Sequence, residues 1–172
     1  MRGSDVTSAW RLTAARAAAL LAAGAAAWGG WSWYAAAHDS RAALALTRDQ
    51  VLAAGEQAVQ NLNTLDWSHL DSGLALWDQS TTGDLHTQLA QGRADFTKQV
   101  AQARTVTTAR VLDGAVTELD PGAGRAAVMV ALQITVTPDG GTAAVKQSRM
   151  LGQLTRTPQG WKLSALQQAQ AQ

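Results

Sequence analysis

Two short stretches of this chain hold residues able to move protons: Asp66, His69 and Asp71, then Asp84 and His86. A carboxyl group and an imidazole facing one apolar pocket can take up a proton and return it. The same positions have a plainer reading. Asp66, Ser68 and Asp84 stand where helices are expected to begin, and an oxygen there caps free backbone N–H groups. His69 and His86 then fall in or near exposed first turns. The rest of the inventory supports this second reading. A tyrosine-based oxyanion hole must lie beside its acid, yet the only tyrosine, Tyr34, is far upstream. His38, His69 and His86 lack a metal-ligand spacing such as HxxxH. The absence of cysteine excludes disulfides, thiol catalysis and cysteine-held metal. No glycine-rich phosphate loop or serine elbow occurs, and Asp139-Gly140-Gly141 reads as a hairpin turn. The expectation is a protein without catalytic residues, cofactor or metal, hence no enzyme.

The elements that would carry any function begin with Ala17–Ala37, a stretch of 21 residues without a charge. A helix of that length spans roughly 30 Å, the thickness of a bilayer core, and predicts a membrane anchor. Arg2, Arg11 and Arg16 precede it against Asp5 alone, so residues 1–16 are expected in the cytoplasm and residues 38–172 outside. Trp28, Trp31, Trp33 and Tyr34 crowd its C-terminal end, as the outer half of an interfacial aromatic belt would. Eleven of the 21 residues are Ala and three are Gly, a composition weak in lipid affinity. Ala22, Ala25, Ala26, Gly29 and Gly30 instead offer a smooth face for a partner membrane helix. The competing reading is a signal peptide cut after Ala35-Ala36-Ala37, against which stand the length and the bulky aromatics.

Beyond the anchor there is length enough for one domain with its own core. The total charge is +1, and three Arg against one Asp precede His38, so residues 38–172 are left near −1. Nucleic-acid binding rests on phosphate neutralisation and is not expected. A long helix is predicted over 38–64, a short one over His69–Trp77 and a third from Asp84 to about Arg104, with Leu85, Leu89, Phe96 and Val100 on one face. The pattern then changes to strands: Thr105–Leu119, Arg125–Thr137, Ala143–Arg156 and Trp161–Gln167. Asp120-Pro121-Gly122, with Gly122 supplying a positive φ, Pro138-Asp139-Gly140-Gly141 and Thr157-Pro158-Gln159-Gly160 make the turns of an antiparallel meander. The fold class is α+β: about three helices packed on a curved four-stranded antiparallel sheet, with 65–167 the folded domain and 168–172 a frayed tail. Trp67, Trp77 and Trp161 are expected as core anchors, Trp161 against residues such as Leu62 or Phe96, and Met129 and Met150 as core filler.

The chain also resembles a known family. An Ala-rich anchor and a long helix lead to Leu65-Asp66-Trp67-Ser68-His69-Leu70-Asp71, then Thr82-Gly83-Asp84-Leu85, and the chain closes with Arg149–Arg156 and Gly160-Trp161-Lys162-Leu163. In order and spacing these are similar to the Mce-associated membrane proteins of actinobacteria. The resemblance implies an NTF2-like (cystatin-like), VirB8-like cone outside the cell membrane. It also implies an accessory role in a Mce-type lipid-transport complex, with Mce-type or permease-type subunits, and lipid, as partners. It carries no catalytic residues. A VirB8-like secretion or conjugation component, or an NTF2-like enzyme or binder of a small apolar ligand, are the alternatives.

Overall fold

A computed structural model describes residues 22–35 and 40–169. The chain divides between Ala43 and Leu44 into two units. In the first, residues 22–35 form helix α1. Among the described residues no helix is long and apolar enough to cross a membrane. The described residues hold only part of the span expected over Ala17–Ala37, so that expectation is not tested by this. The helix over 22–35 is only about 21 Å long and is built mainly of Ala and Gly, while residues 17–21 and 36–37 lie outside the described residues.

Helix α2 (Ser40–Leu62) leads to strand β1 (Leu65–Asp66), a 3₁₀ turn (Trp67–His69), α3 (Leu70–Ser80) and α4 (Gly83–Ala103). Four strands follow: β2 (Thr105–Asp120), β3 (Arg125–Pro138), β4 (Ala144–Thr157) and β5 (Gly160–Gln168). The sheet order is β1-β2-β3-β4-β5, each neighbour antiparallel. The sheet thus has five strands among the described residues, and the expectation of four missed β1. Leu65 and Asp66 pair with Thr107 and Val106, but two residues are too few to show the alternation that marks a strand.

Each predicted turn exists, with one change in its chemistry. Between β2 and β3 the Asp120 carboxylate accepts from Ala123 N–H at 2.9 Å, and the positive φ falls on Gly124 (63°), not Gly122. Register shifts between Val111 and Asp113 and between Val116 and Glu118 put two bulges in β2. Bulges increase the local twist, so the long β2–β3 ribbon curls around the helices.

Strand β3 alternates as its sequence does. Ala126, Val128, Val130, Leu132 and Ile134 face inward and are buried, while Ala127, Met129 and Ala131 face out. Of the two methionines expected as core filler, Met150 packs against the core, whereas Met129 lies on the opposite face and is 37% exposed. The inward side chains meet Val51 and Val59 of α2, with Leu154 of β4 and Leu163 of β5. Each such side chain contributes about 1.5–3 kcal/mol on burial. The fit depends on Gly55. A Cβ there would stand 2.8 Å from Val128 Cγ2, so only glycine lets α2 come this close.

Candidate functional site

The Asp66–Ser68–His69 group assembles as a cap. Asp66 Oδ1 accepts from the Ser68 N–H (2.8 Å) and from the Ser68 hydroxyl (2.7 Å), as N-cap of the 3₁₀ turn. His69 Nδ1 lies 2.9 Å from Ser68 Oγ and 3.2 Å from Asp66 Oδ2. The single hydroxyl proton of Ser68 is committed to Asp66, so His69 Nδ1 carries a proton and donates to both neighbours. Nucleophile activation needs the reverse, an imidazole that accepts the hydroxyl proton. The His69 side chain is also 74% exposed. The Ser68 hydroxyl and amide, with His69, hold the Asp66 carboxyl below its usual range. Asp71 lies in the first turn of α3.

At α4 the N-cap position is Thr82, and Asp84 stands in the first turn, opening the helix without capping it. The structure adds a polar cluster that the sequence did not signal. Thr81 is 3% exposed and donates its hydroxyl to Trp77 O at 2.7 Å. His86 Nδ1, 3.1 Å from Thr81 Oγ1, must then be the donor in that contact. Asp78 pairs with Arg93, and Thr82 N–H donates to Leu163 O at 2.8 Å. This cluster staples the α3–α4 turn to β5. Its members lie on separate elements, so no spacing announces it.

The tryptophans separate by role. Trp161 packs against the core. Phe96 finds Trp77 as its ring partner, at 5.1 Å between centroids. Trp67 lies half-buried beneath the Arg104 guanidinium, 5.3 Å away, which suits a cation–π contact.

Helix α4 has no fully buried residue, although it carries the apolar face predicted for it. Its C-terminal half, with Phe96 and Val100, stands over Ile134 and Val136 of β3 and leaves a cavity of about 360 Å³ between them. Trp77 forms one wall, its indole N–H donated to Asn61 O at 2.9 Å. Asn63 on the rim donates its amide to Val59 O at 2.8 Å. No carboxylate or imidazole lines this cavity, and Lys146 is its one charged residue. The opening therefore holds no acid–base pair, and its walls are hydrocarbon and aromatic.

On α1, Trp28, Trp31 and Trp33 are 79%, 74% and 80% exposed and Tyr34 58%. At 100° per residue, Ala22, Ala25, Ala26, Gly29 and Gly30 occupy one side together with Trp33, while Trp28, Trp31 and Tyr34 occupy the other. Open space surrounds a Cβ built on Gly29 or Gly30. His38 lies outside the described residues.

A family profile described as "Uncharacterized protein Rv1363c/MT1408-like" matches residues 11–165. The chain belongs to this Rv1363c/MT1408-like family. The match begins ahead of α1 and ends in β5, so it takes in the helix over 22–35 as well as most of the sheet. No curated protein is similar to the chain in sequence. Solved structures are similar in shape. An IcmL-like type IV secretion system protein of Legionella pneumophila subsp. pneumophila superposes with a TM-score of 0.58 at 13% identity, over 71% of this chain and 91% of its own. CagV, a VirB8 homolog of the type IV secretion system of Helicobacter pylori, gives 0.54 at 16% identity, over 72% and 99%. Agrobacterium tumefaciens VirB8 gives 0.54 at 11% identity, over 70% and 90%. At such identities the likeness establishes the fold, which is VirB8/NTF2-like.

Proposed function

We propose that this protein is a membrane-anchored, non-enzymatic accessory subunit of an envelope assembly, its VirB8-like domain docking on partner subunits outside the cell membrane. The observation that carries this reading is α1, where three tryptophans at 74–80% exposure share a short Ala/Gly-rich helix. Indole rings in that number are at home at a lipid interface or against protein, not in water. The basic residues ahead of them set the orientation, with the N-terminus inside. In this reading the segment Ala17–Ala37 is held in the membrane partly by neighbouring helices, through Ala22, Ala25, Ala26, Gly29 and Gly30. The preferred assembly is a Mce-type lipid-transport complex, on the resemblance of the motifs around Trp67, Gly83 and Trp161.

A type IV secretion-like apparatus is the second reading, supported by CagV and VirB8 among the similar structures. Purification of the full chain in mild detergent, with mass spectrometry of what comes with it, separates the two. Mce-type and permease-type subunits are expected. Secretion ATPases would move the assignment to the second reading, and recovery of the chain alone would remove both. Because the chain has no cysteine, single substitutions report topology directly. Gln147→Cys should react with a membrane-impermeant maleimide on intact cells and Ser4→Cys should not. The opposite pattern would overturn the orientation.

A further inference from the structure

The opening under α4 has a chemistry of its own, independent of the assembly role. Its walls are Trp77, Phe96, Val100, Ile134 and Val136. Three donors at its margin are already committed: Trp77 Nε1 to Asn61 O, Asn63 Nδ2 to Val59 O and Thr105 Oγ1 to Ala103 O. A guest gains nothing from them and must be apolar over most of its length. Its volume, about 360 Å³, lies at the small end of ligand pockets. Lys146, the one charge in the lining, has no carboxylate within ion-pair distance among the described residues.

We infer that this opening binds a long-chain carboxylate, its hydrocarbon chain between Phe96, Val100 and Val136 and its carboxylate on Lys146. Charge complementarity selects the headgroup. A cationic guest would meet the ammonium, and a neutral one would leave it without a partner. A single acyl chain suits a cavity of this size, where a two-chain lipid would not be enclosed.

Lys146 has a second possible duty that the test must separate. Within the described residues, Ala144–Ser148 of β4 pair with β3 alone, because β5 pairs no further along β4 than Met150. A lysine on an open strand edge discourages another strand from adding there. If that were its only role, removing it would change oligomeric state and leave ligand binding untouched.

The experiment uses the full chain in phosphatidylcholine nanodiscs and a dodecanoate analogue carrying a photoreactive diazirine. Labelled sites are mapped by mass spectrometry, with light scattering on the same samples. Labelling is expected in segments 96–103 and 134–146, displaced by dodecanoate but not by dodecanol or dodecylammonium. Lys146→Ala should reduce it about five-fold, the scale of an exposed ion pair, and Lys146→Arg should retain it. Val100→Trp, which fills the opening, should abolish it while the melting temperature stays near that of the parent. Displacement by dodecanol as readily as by dodecanoate would overturn the carboxylate assignment. Labelling confined to residues 22–35, or a Lys146→Ala chain that associates with undiminished labelling, would overturn the site.

Discussion

Under α2, side chains interlock with the sheet; under the C-terminal half of α4, facing apolar surfaces stay apart. Both helices cross the same curled sheet, and both carry an apolar face. What differs is the residue at the crossing. Helix α2 presents Gly55, and its backbone settles against Val128 with Val51 and Val59 fully buried. Helix α4 presents Phe96, whose ring packs on Trp77 at 5.1 Å between centroids. The two rings in tilted contact line an open space between the C-terminal half of α4 and β3, while Leu85 in the N-terminal half packs against the core. A helix face that is apolar by sequence is thus not the same as one that is packed. The size of the side chain at closest approach decides which it becomes.

The comparison is most severely tested by removing volume from the filled side. Leu163 is fully buried, and Leu163→Ala should cost about 2–5 kcal/mol in chemical denaturation. A loss below about 1 kcal/mol would mean that this side is no better packed than the other. Next comes the same side chain added to each half. Gly55→Leu drives α2 off Val128 and should cost about 1–3 kcal/mol or more. Ala103→Leu, which lines the open half, should change stability by less than about 0.5 kcal/mol. Equal effects would erase the distinction. Smaller still is Trp77→Phe, which keeps a ring against Phe96 but removes the donor to Asn61 O, for about 1 kcal/mol by thermal melting.

The smallest expected effect is a pH dependence at Asp66. Its folded pKa lies below the unfolded value of 3.8 because the Ser68 hydroxyl and amide and His69 favour the carboxylate. The contribution is therefore fully present above the unfolded value and is lost as pH falls through the lower folded one. The stability difference between the parent and Asp66→Asn should be constant near neutrality and vanish in acid. A difference that grew on acidification would contradict the capping geometry.

Much of this architecture was legible before any coordinates. The inward set on β3 follows from its period of two, the helical face of Leu85, Leu89, Phe96 and Val100 from its period near 3.6, and the meander from three short turns. What was missed is instructive in kind. Strand β1 is too short to have a period, and it exists because Leu65 and Asp66 find Thr107 and Val106 across the chain. Met129 and Met150 were both read as core filler, whereas the β3–β4 register turns Met150 inward and leaves Met129 on the outer face. Thr81 looks like a surface residue beside a polar loop, yet it is buried because the α3–α4 turn lies against Leu163.

By itself the sequence determined the order of elements, the antiparallel connections, the apolar faces, the aromatic helix near the N-terminus and the want of a catalytic motif. Those properties are local: periodicity, turn chemistry and composition act within a few residues. Only the tertiary structure decided that Phe96 and Val100 do not close on Ile134 and Val136, and that Lys146 stands at the edge of the gap. Those outcomes depend on distances between segments remote in the chain. A glycine stands at one helix crossing and two large rings line the gap at the other, and no local pattern records either.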